Sequence, residues 1–377
     1  MVGVGLIVSN VMPGFLAASL APRNRVDFTF GDSALGLAAG LFYVVSAAAS
    51  VPAGRLVDRV GATRGMRLSA ASTAICGLAI AVLAQSAVSL DVLLLIGGIG
   101  NALGGPAVTA LLNREVATHR QGLAFGAQQA GAPLGAVLAG LALPVVAIPL
   151  GWRWAFVAAA ALALVSVAFA PRADATSAAA ASAVRRPEGF SSVHALGVAA
   201  VFASAASVGF VAFLVTYSVE NGISEAAAGL LLAGVSLAAA ASRIALGLFA
   251  DHTGQDPLRP VAGMLAASVA GFLLLIVGEP VVIAAAALLA GSLGWAWTGG
   301  LNLAVVQRAP DAPAWAVGVM LTGLFVGAVV GPLLTGFLAE HDQFTLAWIA
   351  CAALALAAAA TIVATMRHEA RSVANAP

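Results

Sequence analysis

The segment Gly54–Arg64 reads GRLVDRVGATR and connects two long apolar stretches of the chain. It places three arginines and one aspartate, Asp58, beside two glycines, which permit a sharp reversal and a close approach of the flanking segments. A carboxylate at the edge of a membrane can pair with arginines or with the positive N-terminal end of a neighbouring helix. The segment therefore predicts a tight, charged turn between two helices that fold back on each other.

The spacing of this segment, G-x-x-x-D-R-x-G-x-x-R, resembles the loop between helices 2 and 3 of the major facilitator superfamily. The positions that carry the resemblance are Gly54, Asp58, Arg59, Gly61 and Arg64. The resemblance implies a gating motif, in which Asp58 faces the start of span 11 near Trp315–Gly318. It also implies that Arg59 or Arg64 reaches Glu115 below span 4. A charge at a helix N-terminus contributes about 0.3–1 kcal/mol, and up to about 2 kcal/mol when it is partly buried.

The same pattern recurs after about half the chain. Asp251 and Gly254 repeat Asp58 and Gly61 at an offset of 193 residues. Two further alignments at offsets of 192 and 194 pair Gly126, Gly131 and Gly135 with Gly318, Gly323 and Gly327, and Gly100 and Arg114 with Gly294 and Arg308. The chain is therefore predicted to be a duplicated unit. In the second copy His252 replaces the motif arginine, so we expect a weaker gate contact there.

The composition excludes an ordinary soluble protein. Hydrophobic residues make up 61% of the 377 residues and charged residues 9%, against roughly 25% charged in soluble domains. A helix needs about 20 apolar residues to cross a bilayer, and twelve such spans account for nearly the whole chain. We predict an all-α membrane protein with twelve transmembrane helices in two pseudo-symmetric six-helix bundles, which is also the fold that the resemblance implies.

Four regions are predicted along the chain: an N-terminal bundle at 1–170, a polar cytoplasmic linker at 171–193, a C-terminal bundle at 194–366 and a cytoplasmic tail at 367–377. The twelve spans are predicted at 2–21, 34–53, 68–88, 92–113, 123–148, 155–170, 194–219, 227–250, 261–277, 281–306, 315–339 and 346–366. Fourteen of the 17 arginines lie in or near the loops and tail on one side. The positive-inside rule then places both termini in the cytoplasm and the protein in the cytoplasmic membrane as a multi-pass chain. The alternative to a gate at Asp58 is a solvated turn that only sets this topology.

Glycines in spans 5 and 11 are candidate hinge and packing positions. The stretch Gly131-Ala132-Pro133-Leu134-Gly135 resembles the G-x-P-x-G core of the span 5 motif of superfamily antiporters. Together with Gly323 and Gly327, these glycines are expected to let spans 5 and 8, and spans 2 and 11, slide past each other. The alternative is static packing, because small residues let helix backbones approach closely in any bundle.

Arg243 is the candidate for charge recognition inside the membrane. It lies eight residues before Asp251, roughly 12 Å deeper at 1.5 Å per residue. An arginine at the centre of a span costs about 2.5–3.5 kcal/mol on the insertion scale. One interpretation is that it snorkels to the interface or forms a structural pair. The other is that it binds an anionic substrate or a coupling carboxylate.

The remaining candidate substrate-binding residues are uncharged and suit a neutral or weakly anionic organic solute. They are Asn10, Tyr43, Asn101, Gln128, Gln129, Tyr217, Trp295, Trp297 and Asn302. Helix–helix hydrogen bonding is the alternative for each. The sequence shows no Asp or Glu in the middle of a span and lacks the span 4 arginine typical of proton-driven drug exporters. No catalytic, cofactor or metal-binding motif is present, so we predict neither an enzyme nor a metal or cofactor site.

These observations predict a secondary active transporter that moves a small neutral or anionic organic solute by alternating access. Protons are a candidate coupling ion, the bilayer is the surrounding partner, no nucleic acid is expected, and the protein is expected to be a monomer. One alternative is a proton-coupled multidrug efflux antiporter. An alternative of another class is a membrane receptor that binds its ligand without transporting it.

Overall fold

The computed structural model describes residues 2–19, 32–168 and 190–374, and these ranges are helical with short connections and no strands. The helices are α1 Val2–Ser19, α2 Asp32–Val60, α3 Ala62–Leu83, α4 Ala87–Glu115, α5 Gln121–Ala142, α6 Trp152–Ala168, α7 Phe190–Glu220, α8 Glu225–Thr253, α9 Leu258–Leu274, α10 Pro280–Gly294, α11 Thr298–Arg308, α12 Pro313–Ala339 and α13 Phe344–Ala374. A π-helical turn, Leu143–Ala147, extends α5. The predicted linker at 171–193 falls largely outside the described residues.

The all-helical membrane fold predicted from the sequence is confirmed. Within the described residues, eight helical segments are long and apolar enough to cross a membrane, and two shorter apolar helices accompany them, Gly3–Ala17 and Trp152–Ser166. Large aliphatic side chains such as Val82, Leu230 and Val281 are exposed, whereas alanine dominates the buried faces. This distribution suits helices that meet lipid outside and small side chains inside.

The contacts divide the chain into two compact units that differ from the two halves of the sequence. Unit 1 contains residues 1–115, 131–185 and 313–318, and unit 2 contains residues 116–130, 186–312 and 319–377. The first residues of α12 therefore group with unit 1, and the first half of α5 groups with unit 2. In each repeat, the beginning of one helix therefore belongs to the unit that is formed mainly by the other repeat.

The turn between α2 and α3 is shorter than the sequence predicted. α2 continues to Val60 and α3 begins at Ala62, so Gly61 alone forms the turn, with φ 89° in the left-handed region that glycine adopts freely. The predicted charged turn starting at Gly54 is wrong, because Gly54 is still helical. Because Gly54 has no side chain, α2 can lie close to the start of α12. A Cβ at this position would lie 2.5 Å from the carbonyl oxygen of Ala314.

The predicted span at 281–306 is confirmed as part of one membrane-crossing segment, Pro280–Arg308, but the helix within it is interrupted. α10 ends at Gly294 and α11 begins at Thr298, which leaves Trp295–Trp297 outside regular helix. The corresponding helix of the first repeat, α4, runs unbroken from Ala87 to Glu115. The break is therefore specific to the second repeat.

Candidate functional site

Asp58 lies against the start of α12. Its Oδ2 accepts a hydrogen bond from the backbone N–H of Trp315 at 2.9 Å, within unit 1. Burial raises the pKa of the Asp58 carboxyl to about 6, and the hydrogen bonds from the backbone of Trp315 and Ala314 oppose that rise. The carboxyl thus occupies the helix end that the resemblance implied.

Asp251 makes the equivalent contact within unit 2. Its two oxygens accept the backbone N–H groups of Gly122 and Leu123, at 2.7 and 2.8 Å, at the start of α5. His252, which replaces the motif arginine, is exposed and its ring contacts the carbonyl oxygen of Leu248. The two hydrogen bonds that Asp251 accepts do not involve His252.

Close backbone approaches at glycines lie near both aspartates, and they occur at equivalent positions of the two repeats. In unit 1 a Cβ on Gly54 would meet the carbonyl oxygen of Ala314, and one on Gly318 would meet that of Ser50. In unit 2 a Cβ on Gly247 would meet the carbonyl oxygen of Gly122, and one on Gly126 would meet that of Arg243. Because these four residues have no side chain, the backbone of α2 lies close to that of α12, and the backbone of α8 lies close to that of α5.

The glycines predicted to line those two helix pairs lie elsewhere. Gly131 and Gly135 face α1, and Gly323 and Gly327 face α7. The prediction that they let spans 5 and 8, and spans 2 and 11, slide past each other is therefore wrong, because they lie further along α5 and α12 than the glycines at those two contacts. Pro133 lies inside α5 between the first two.

The arginines of the motif do not pair as expected. Arg59 and Arg64 are exposed, and neither forms an ion pair in the described part of the chain. Glu115 instead pairs with its neighbour Arg114 at 2.8 Å. The expected contact of Glu115 with Arg59 or Arg64 is therefore wrong, since the adjacent residue already occupies the carboxylate.

Arg243 is buried, with 2% of its surface exposed. Its Nη1 donates to the carbonyl oxygen of Gln129 at 2.6 Å, and its Nη2 and Nε donate to that of Trp295 at 2.7 and 3.1 Å. The guanidinium also lies 5.2 Å from the centre of the Trp295 ring. Among the described residues no carboxylate pairs with it. The snorkelling interpretation is therefore wrong, and backbone carbonyls hold the charge inside unit 2.

The break between α10 and α11 supplies one of these carbonyls and two further polar groups. Trp295 follows the last residue of α10, and its carbonyl accepts two N–H groups of Arg243. Next to the break, the indole Nε1 of Trp297 and the hydroxyl of Thr298 are buried and have no hydrogen-bond partner among the described residues. A buried polar group without a partner costs about 1–3 kcal/mol, so these two donors are candidates for binding a ligand.

The buried Arg243 and the break between α10 and α11 have no counterpart in the first repeat. The position equivalent to Arg243 is Ser50, 193 residues earlier, and the helix equivalent to α10 and α11 is unbroken. Arg243 contacts the break directly through Trp295. The two features that differ between the repeats are therefore in contact within unit 2.

Several predicted substrate residues are engaged in helix–helix hydrogen bonds. Asn10 donates to Ser69 Oγ at 3.0 Å and accepts from Thr73 Oγ1 at 2.8 Å. Asn101 donates to Ser46 Oγ at 3.1 Å. These bonds agree with the alternative interpretation of the two amides, as links between helices of unit 1.

The other predicted residues vary in position. The hydroxyl of Tyr217 donates to the carbonyl oxygen of Leu275 in an aromatic core with Trp348. Tyr43 packs edge-on against Phe42, with ring centres 5.2 Å apart. Gln128 and Asn302 are fully buried. Gln129 and Trp295 contact Arg243 directly, and Trp297 follows Trp295 by two residues.

Sequence reasoning missed Thr298 and Gly122. Gly122 could have been found from the repeat position that it shares with Ala314, whereas nothing in the sequence marks the helix break. It also passed over Asp91 as a residue of a span end. Among the carboxylates whose side chains are described, Asp91 alone is buried, with 7% exposed, in the first turns of α4.

The two repeats of the chain thus carry matching helix-end contacts, at Asp58 and at Asp251. The family model described as Major Facilitator Superfamily matches residues 3–313, and a second match covers residues 195–377. The chain belongs to this superfamily.

Relatives and solved structures agree with this assignment. Two uncharacterised MFS-type transporters from two strains of Mycobacterium tuberculosis are each 27% identical over 321 residues, which is 81% of this chain and 71% of theirs. The human organic anion transporter MFSD10 has a TM-score of 0.75 at 18% identity, covering 96% of this chain and 97% of its own. The fucose:proton symporter of E. coli has a TM-score of 0.73 at 14% identity, covering 97% and 98%. At these identities the solved structures show the fold alone.

Proposed function

We propose that the protein is a secondary transporter of a small organic anion across the cytoplasmic membrane. The observation that carries the proposal is Arg243, a buried guanidinium without a carboxylate partner in the described chain, held at a helix break beside two unpartnered polar groups. A buried charge inside a membrane protein is expensive and marks a functional site by default. A carboxylate or phosphate bound there would neutralise the charge, and Trp297 and Thr298 supply two further donors within three residues of Trp295.

The duplication supports the choice of site. Structural needs common to both repeats are met by matching residues, such as the paired aspartates and glycines. Arg243 and the break occur in one repeat only, so packing common to both repeats does not require them. A substrate is itself asymmetric, and its recognition calls for groups that the two repeats do not share.

Alternating access would use the helix-end contacts as gates. Asp58 and Asp251 each hold the start of a helix that the sequence assigns to the other half. Separation of the two sequence halves on that side would break both contacts, and closure would restore them. The balance between the two states would then depend on differences in these contacts and in substrate binding.

The first experiment is uptake of a mixed metabolite pool into proteoliposomes, with and without an imposed proton gradient, followed by mass spectrometry. Accumulation of organic anions is the expected result. If only lipophilic cationic dyes move, the protein is a drug exporter. If anions bind but no solute moves, it is a receptor. A response to the gradient would identify protons as the coupling ion.

The second experiment tests Arg243 with the anion so identified. Arg243→Gln should raise the apparent KM about 10- to 100-fold, because a hydrogen bond to a charged group contributes about 1.5–3 kcal/mol. Arg243→Lys retains the charge and should recover part of the affinity. Ser50→Ala, at the equivalent position of the first repeat, is the matched control and should leave KM unchanged. An Arg243→Gln protein that is less heat-stable but has the wild-type KM would show that the arginine is structural.

A further inference from the structure

A groove of about 790 Å³ runs along the outside of unit 2 between α9 and α13. Small side chains form its floor, since the beginning of α9 meets the end of α13 through Ala262, Gly263, Ala266, Ala359, Ala360 and Ala364. A Cβ added at Gly263 would have no atom within 4 Å. The groove is therefore open, apolar and long, and it follows two membrane-crossing helices.

Two arginines stand at one end of this groove. Arg259 is the second residue of α9, and Arg367 lies in the last turns of α13. Both side chains are exposed, and neither has a hydrogen bond or an ion pair in the described part of the chain. The nearby Glu369 does not neutralise them, because both of its oxygens accept hydrogen bonds from Arg308 at 2.8 Å.

We infer that this groove binds an anionic phospholipid, with the phosphate at Arg259 and Arg367 and an acyl chain along the alanine floor. The charge and the shape both select this occupant. Guanidinium groups bind phosphate oxygens in a bidentate manner, and basic pockets between membrane helices recognise anionic headgroups. An apolar trough that opens sideways from two spanning helices faces acyl chains rather than water. The inference is independent of the transported solute, since the groove does not include Arg243.

The experiment is native mass spectrometry of the purified full-length protein in detergent, with equal amounts of phosphatidylglycerol and phosphatidylcholine. We expect one phosphatidylglycerol to be retained in preference to phosphatidylcholine. The double variant Arg259→Gln, Arg367→Gln should bind phosphatidylglycerol about 25-fold more weakly, at about fivefold per arginine near a charged lipid surface. Arg55→Gln removes an exposed arginine outside the groove and should change nothing. Equal retention of both lipids by the wild type, or wild-type selectivity in the double variant, would overturn the inference.

A second variant tests the acyl part of the site. Gly263→Leu projects a side chain into the open groove and should reduce retention of both lipids without a loss of folding. Gly234→Leu is the matched control, because Gly234 in α8 is also a helical glycine with no atom within 4 Å of an added Cβ. Inorganic phosphate should not displace the lipid even in large excess. Displacement by phosphate, or full lipid retention by Gly263→Leu, would show a simple anion site in place of a lipid site.

Discussion

At Asp58, burial outweighs the hydrogen bonds that the carboxyl accepts from α12, so its pKa rises from 3.8 to about 6. A group whose pKa is higher when a contact is formed stabilises that contact in its protonated form. The contact is then supported fully below about pH 4, and this support is lost as the pH rises through about 6. The attraction of the helix N-terminus for a negative charge acts in the opposite direction and is the smaller effect here.

This balance predicts how the contact of Asp58 with α12, the proposed gate, responds to pH. With equal pH on both sides of a proteoliposome, anion exchange should slow several-fold between pH 7 and pH 5, because protonated Asp58 holds the contact with α12 closed. Asp58→Asn resembles the protonated carboxyl and should exchange slowly at both values. Asp251→Asn is the matched control from the other repeat and should retain the dependence on pH. A wild-type pH profile in Asp58→Asn would exclude this carboxyl as its source.

The two principal residues differ in how far the sequence could predict them. The partner of Asp58 followed from the motif, because a fixed spacing at the end of a helix implies a fixed neighbour. The burial of Arg243 could not be predicted, because its acceptors are backbone carbonyls, of Gln129 and Trp295, from distant elements. Long-range acceptors of this kind leave no pattern in local composition.

At the scale of elements, hydropathy predicted the membrane-crossing helices well. It did not predict the interruption between α10 and α11. The interrupting residues Trp295–Trp297 are themselves apolar, so a window of about 20 residues passes over them. The sequence predicted that glycines allow close helix contacts, but the partner helices predicted for Gly131, Gly135, Gly323 and Gly327 were wrong. A helix of 3.6 residues per turn presents residues five apart to different neighbours, so Gly126 and Gly131 contact α8 and α1 respectively.

The paired glycine contacts predict matched effects of small substitutions. Gly318→Ala and Gly126→Ala place a methyl group against the carbonyl oxygens of Ser50 and Arg243, which belong to helix backbone and cannot move aside. Overpacking costs about 1–3 kcal/mol in the conformation that makes the contact, so that conformation becomes less populated and uptake should fall about fivefold or more in each variant. Gly234→Ala meets open space and should stay within about twofold of the wild type. Uptake rates in proteoliposomes, normalised to folded protein, measure the effect. Normal uptake in either of the first two variants would contradict the close approach.

At the scale of the whole molecule, the duplication was visible in the sequence because Asp58, Gly61 and several other glycines recur at nearly one offset. The division into compact units was not, since the first residues of α12 and the first half of α5 group across the repeats. Such exchange depends on which helix ends meet in space, and sequence similarity between repeats does not record it. The repeat is nevertheless the best guide to function, because residues that break it are the ones that packing common to both repeats does not require.

The arginine distribution makes a prediction about the whole molecule, namely which ends of the helices face the cytoplasm. Arginines resist transfer across the membrane, so the side that holds fourteen of 17 should stay inside. Cysteine at Arg55 or Arg371 should therefore react with a membrane-impermeant maleimide only after the cells are opened, whereas cysteine at Trp154 or Gln343 should react in intact cells. The native Cys76 and Cys351 are buried and should give little background. The reverse pattern would place both gate contacts outside, and Asp58 would then respond to external rather than internal pH.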